Sequence, residues 1–250
     1  NAKIDVLKYG IEIGMNFIDT GEDYEDGLSE KLLSEVVKSK RDKVIIGSKF
    51  KPSNNSYKGV INSIEGTLKR INTDYIDLYQ IQWPNPNIEI EETFNAFEKL
   101  IDQGKILYYG VGNFDLPKIK EAVRVDKLKK FIAIQTEYDL FNRSKENYLN
   151  FLNNNNLSII AYMSLGKSNF NFEEKQLLNS LSNKYNATIR TIVLCWIISH
   201  KNINVLTSSL SIEHTKNNFD ATQIKLEDED IKKINNLFNR KTVQVDPKEI

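Results

Sequence analysis

Apolar positions along the chain fall into two alternating patterns. Short, mostly apolar runs rich in strong β-formers cover 16–20, 44–50, 76–81, 106–112, 131–136, 157–163 and 203–208. Most carry apolar residues at successive positions, as strands covered on both faces do. Between them, apolar residues recur with helical spacing over 28–40, 60–71, 91–103, 116–127, 145–153, 172–185 and 189–199. Breakers separate the elements, among them the KPSNNS segment at 51–56 and the asparagine run at 153–156.

Strand–helix alternation predicts a parallel sheet. Seven strands with helices between them suit a barrel better than an open sheet, and 250 residues is an ordinary length for one. No linker, charge block, low-complexity segment or repeat interrupts the pattern, so one domain over 1–250 is expected. The chain opens with a helical pattern at 2–14 that no strand precedes. The expectation is a (β/α)8 TIM-type barrel whose first strand is missing from this chain.

Composition narrows the function. Lys plus Arg equal Asp plus Glu at 34 each, which argues against a nucleic-acid binder. No apolar stretch approaches the roughly 18 residues that span a membrane. There is no signal-peptide pattern at the start, so a cytoplasmic location is the default. The single cysteine, Cys195, sits in the apolar run TIVLCWII and reads as a small buried hydrophobe. With only His200 and His214 beside it, no zinc-type ligand set is expected. His200 follows a helix and reads as its C-terminal cap.

Barrels carry their chemistry on the C-terminal ends of the strands. Here those ends are polar: Asp19-Thr20, Ser48-Lys49, Gln80 to Trp83, Gly112-Asn113, Gln135 to Glu137, Tyr162-Met163 and Thr207-Ser208. Lys49 ends the run VIIGSK and is expected to point into the barrel mouth near Asp19. Such a pair can lower the pKa of a nearby phenol and make it a general acid, or can be a structural ion pair. There is no G-x-G-x-x-G and no Walker A pattern, so a Rossmann enzyme is disfavoured.

These residues resemble the aldo/keto reductase family over nearly the whole length. GMNFIDT at 14–20, followed by Glu22, Tyr24, Gly27, Ser29 and Glu30, is similar to the family's G-x-N-x-x-D-T-A-x-x-Y-x-x-G-x-S-E signature. GSK at 47–49 resembles its T-K strand end. DYIDLYQIQWP at 74–84 resembles D-Y-I-D-L-Y-Q-I-H-W-P, and GVGNF at 110–114 resembles G-V-S-N-F. Gln135, Glu137, Tyr138 and Arg143 follow Q-x-E-Y-x-x-x-x-R, and AYMSL at 161–165 resembles A-Y-S-P-L. EHTKNN at 213–218 resembles the stretch around the family's cofactor-adenosine site.

The resemblance implies four catalytic positions: Asp19, Tyr24, Lys49 and Gln82. The tyrosine would donate a proton to a substrate carbonyl, eased by the Lys49–Asp19 pair, with hydride from a reduced nicotinamide. It implies NADPH as cofactor, with NADH as the alternative. Asn113 and Gln135 would hold the carboxamide, and Tyr162 would stack on the nicotinamide. Leu165, Ser208, Ser209, His214, Asn217 and Asn218 would follow the pyrophosphate and adenosine. Trp83 would line the pocket of a small carbonyl substrate.

Three departures stand out. Gln82 occupies the place of the family's catalytic His; an amide donates a hydrogen bond but cannot be protonated. Gly112 and Met163 replace serines. His214 and Ser208 stand where NADPH-specific members often carry basic groups. Two functions follow from the resemblance: a carbonyl reductase, and a nucleotide-binding sensor or partner subunit with little turnover, acting with a protein partner. Loss of the histidine, shared by the family's potassium-channel β-subunit branch, favours the second. Retention of Asp19, Tyr24 and Lys49 favours the first.

Overall fold

The structure, a computed structural model, describes residues 2–38, 40–166 and 170–238. Its elements run α1 (Ala2–Ile13), β1 (Phe17–Asp19), α2 (Leu28–Val37), β2 (Ile45–Phe50), α3 (Tyr57–Ile71), β3 (Ile76–Ile81), α4 (Ile90–Asp102), β4 (Ile106–Gly112), α5 (Leu116–Val125) and β5 (Phe131–Glu137). They continue α6 (Leu149–Asn154), β6 (Ser158–Tyr162), α7 (Phe172–Tyr185), α8 (Ile189–Ile198), β7 (Ile203–Val205), α9 (Ile212–Asp220) and α10 (Asp228–Leu237). Every strand pairs parallel to its neighbour in sequence, in the order β1 to β7.

The sheet curls until its two ends face each other. Phe17, Ile18 and Asp19 of β1 line one groove together with Val205 of β7 and Leu206 after it. Outside, α1 packs against α9 across the same seam. Among the described residues β1 and β7 are not hydrogen-bonded to each other. The architecture is the expected (β/α)8-barrel type, represented among the described residues by seven strands.

Side-chain alternation along the strands divides the core in two. Tyr79, Ile134 and Ile159 point outward into the large cluster shared with the helices. Their neighbours Leu78, Ala133 and Ile160 form a small inner cluster, with Phe17 and Leu206 packed against it. Two residues further along each strand the inward series continues with polar side chains, above a floor of apolar ones.

Sequence and structure differ in three places. The strand expected over 203–208 ends at Val205. Beyond it Ser209 serves loop backbone instead, its Oγ accepting from Ser211 N at 2.9 Å. The helix expected over 145–153 is a 3-10 turn, Ser144–Tyr148, followed by the short α6. Helices α9 and α10 were not expected. Ile231, Ile234 and Leu237 of α10 do recur with helical spacing and pack on the core, and α9 is announced by its Ser211 N-cap, which accepts from His214 N.

Candidate active site

The polar tier sits where strand register puts it. Asp19 pairs with Gly47, and Lys49, two residues on, pairs with Gln80. Gln80 pairs with Gly110, and Gly112 with Gln135. Residues 30 apart in sequence are thereby delivered to one rim. Lys49 Nζ donates to Asp19 Oδ2 at 2.6 Å. The lysine side chain is 3% exposed and the aspartate 12%, so this pair is well shielded from solvent. Asp19 Oδ1 is buried with no partner.

Tyr24 reaches the pair from the loop after β1. Lys49 Nζ lies 4.8 Å from the centre of its ring. The chain behind Tyr24 is contorted: Glu25, Asp26 and Gly27 all have positive φ, at 50°, 53° and 79°. A Cβ on Gly27 would stand 2.8 Å from Arg70 Cδ, so both conformation and space require glycine there.

Two side-chain bonds tie this loop to the strand ends. Thr20 Oγ1 and Ser29 Oγ share a 2.6 Å hydrogen bond. Ser48 Oγ donates to Glu30 Oε1 at 2.7 Å, and Arg70 Nε donates to Glu30 Oε2 at 2.5 Å. Glu30 is fully buried. Thr20 and Ser48 adjoin Asp19 and Lys49, so the start of α2 is fastened directly beside the ion pair. Arg70 carried no mark in the sequence, because a basic residue in a helix usually faces solvent.

A cavity of about 220 Å³ is lined by Asp19, Tyr24, Lys49, Gln82, Trp83, Gly112, Asn113, Gln135, Tyr162 and Leu206. All four expected catalytic residues therefore meet there. Asn113 Nδ2 donates to the Gln82 backbone oxygen at 3.1 Å, and Tyr162 Oη donates to Asn113 Oδ1 at 2.7 Å. Gly112 makes this approach feasible: a Cβ there would lie 2.4 Å from the Gln82 backbone oxygen. The Gln82 side-chain Oε1 is buried without a partner. Burial, reinforced by the Glu137 carboxylate, pushes the Tyr162 phenol above its ordinary pKa. Trp83 is 45% exposed at the rim.

A second groove of about 530 Å³ shares Asp19, Tyr24, Tyr162 and Leu206 with this cavity and runs on past Met163, Ser208, Ser209 and Asn218. The two together make one elongated site, with an aromatic and amide end at Tyr162, Asn113 and Gln135. That form and donor set fit a dinucleotide: ring and carboxamide partners at one end, hydroxyl and amide groups along the other.

Three of the expected cofactor residues lie off this path among the described residues. Leu165 packs against the large core cluster. His214 is exposed on the first turn of α9. Asn217 lines a separate cleft between α7, α8 and α9. His200 has no place in the site; its Nδ1 is 2.9 Å from the Trp196 carbonyl at the end of α8, as its capping position implied.

The model of the aldo/keto reductase family matches residues 1–239. Methylglyoxal reductase YeaE of Escherichia coli is 32% identical over 229 residues, covering 90% of this chain and 80% of that protein. The thermostable aldo-keto reductase Tm1743, solved with the inhibitor epalrestat, superposes with a TM-score of 0.89 at 34% identity, covering 94% of this chain and 86% of that one. An aldo/keto reductase from Klebsiella pneumoniae, solved with NADP and acetate, gives 0.91 at 28% identity, covering 98% and 88%.

Proposed function

The chain belongs to the aldo/keto reductase family, and we propose that it reduces small aldehydes and ketones with NADPH, Tyr24 giving the proton. The observation that carries this reading is the Lys49–Asp19 pair at 2.6 Å with the lysine 4.8 Å from the Tyr24 ring, all on one cavity wall. A buried cation beside a phenol stabilises the negative charge left as its proton departs. Asp19 keeps that cation in place and partly neutralises it, so the site is not an uncompensated buried charge. Gln82 supplies an amide N–H toward the substrate oxygen.

Asn113 and Gln135 hold the nicotinamide carboxamide, Tyr162 is the stacking platform, and Ser208, Ser209 and Asn218 follow the rest of the dinucleotide. Bound there, the reduced nicotinamide supplies the hydride. The related Klebsiella protein carries NADP, which supports NADPH as the partner. The Escherichia coli relative is named for methylglyoxal reduction.

The test is NADPH oxidation against a panel of small aldehydes, dicarbonyls and ketones. Turnover that vanishes in Tyr24→Phe is expected. Tight NADPH binding with no turnover on any member would move the assignment to the second reading, a nucleotide sensor or partner subunit, which the unprotonatable Gln82 favours.

A further inference from the structure

Gln80 stands in the polar tier, in register with Lys49 and two residues before Gln82, and no mechanism yet uses it. It is fully buried on the inner face of β3, a place that apolar residues normally fill. Its Nε2 donates to Gln135 Oε1 at 3.3 Å. Its own Oε1 is buried and has no partner. Room for it comes from Gly110 on the facing strand: a Cβ there would stand 3.1 Å from Gln80 Oε1 and 3.2 Å from its Cγ.

The orientation of the pair has a physical preference. With Gln80 donating, the unsatisfied atom is a carbonyl oxygen. Turning both amides round would instead strand an NH2 group in the same sealed slot. Buried orphan donors are rarer in proteins than under-satisfied carbonyls, and an NH2 leaves two donors unmet. Gln135 is 4% exposed and lines the 220 Å³ cavity. Its Oε1 is turned toward Gln80, so although that oxygen keeps a second lone pair, the opposite side of the amide carries the NH2.

We propose that Gln80 is a positioning residue that locks the Gln135 amide so that it presents a donor, and not an acceptor, to a cofactor carboxamide. This rests on the reading that Gln135 holds that carboxamide. The site then binds the carboxamide through its carbonyl oxygen, and the carboxamide NH2 contributes nothing at Gln135.

Two NADP+ analogues separate donor from acceptor. The 3-acetylpyridine analogue keeps the carbonyl oxygen and lacks the NH2. The thionicotinamide analogue keeps the NH2 and replaces the oxygen by sulfur, a poor acceptor. Affinities are measured by calorimetry on the full chain, without turnover. The wild-type protein is expected to bind the acetylpyridine analogue about 3- to 10-fold tighter than the thionicotinamide analogue, the range of one neutral hydrogen bond. In Gln80→Met, and in Gln80→Leu if the first melts early, Gln135 is free to turn and that ratio should fall to about one. A ratio unchanged in both variants, or a wild-type preference for the sulfur analogue, overturns the proposal. Gln135→Met distinguishes the two levels. If it leaves NADP+ affinity intact, Gln135 does not hold the carboxamide and both readings fall. If it weakens NADP+ while the Gln80 variants keep the ratio, only the role of Gln80 falls.

Discussion

Lys49 and Asp19 come from adjacent strands and meet at 2.6 Å, with the lysine 3% exposed. A pair so enclosed behaves unlike a surface ion pair. Removing one partner leaves a buried charge uncompensated, at a cost of about 3–5 kcal/mol. Lys49→Met is therefore expected to lower the melting temperature and also to cut kcat about 100- to 1,000-fold through loss of charge stabilisation at the phenol. The double variant Asp19→Asn/Lys49→Met should regain much of the stability and none of the activity. Recovery of turnover in the double variant would contradict a role for the cation.

Tyr24→Phe keeps the ring and its contact with Lys49 while removing the only proton donor assigned to the reaction. Loss of a general acid costs about 100- to 10,000-fold in rate. Carbonyl reduction should fall in that range with NADPH affinity nearly unchanged, as followed by absorbance and by fluorescence titration. Full turnover would show that another group protonates the substrate.

Gln82 invites the reverse experiment. Its Oε1 has no partner, so the amide is held less firmly than a bonded one. A neutral imidazole on a shorter stem aims its N–H better. One oxyanion donor is worth about 2.7–4 kcal/mol, so improving an existing one should raise kcat/KM by less than about 100-fold. Gln82→His is expected to gain within that limit on a simple aldehyde at saturating cofactor. A flat or lower value would favour the reading of a binding subunit with little turnover.

Discrimination between NADPH and NADH should be modest, below about 100-fold or 2.7 kcal/mol. Strong 2′-phosphate selection usually needs a forked, charged donor. Lys216, the cation nearest in sequence to the candidate adenosine segment, donates to Asp220 at 2.7 Å within the same helix, which offsets its charge. Parallel titrations with the two dinucleotides decide the matter; a larger preference would reveal an unassigned basic contact.

Cys195 should be inert to thiol reagents in the folded protein. Burial in α8 pushes its thiol up to about 11, and it is 2% exposed. At pH 8 the thiolate is therefore scarce as well as shielded. Reaction with an aromatic disulfide should appear only with denaturant; rapid native labelling would mean that α8 opens readily.

Much of this protein was legible in its residue order. Apolar runs in parallel strands are buried on both faces, so they announce themselves without reference to neighbours, and each of the seven runs matches a strand among the described residues. The rim could be read for a similar reason. Polar residues such as Lys49 and Gln135 at the ends of strong β-forming runs have no packing role there, and their linked motifs resemble one family. Local chemistry also placed His200 as a helix cap and Cys195 in the core.

What tertiary structure alone decided is what depends on register and on close approach between distant segments. Parallel pairing set Lys49 beside Gln80 and Gly112 beside Gln135, and no local pattern encodes which strand residues stand opposite one another. Glu30, Arg70 and Ser48 became a clamp on the Tyr24 loop only when α2, α3 and β2 packed together. The cofactor residues proposed from likeness divided for the same reason: Ser208, Ser209 and Asn218 face the groove, while Asn217, one residue earlier in α9, turns about 100° away around a 3.6-residue helix. Periodicity fixes which residues share a face, but only the packing of that helix on its neighbours chooses the face that meets the site.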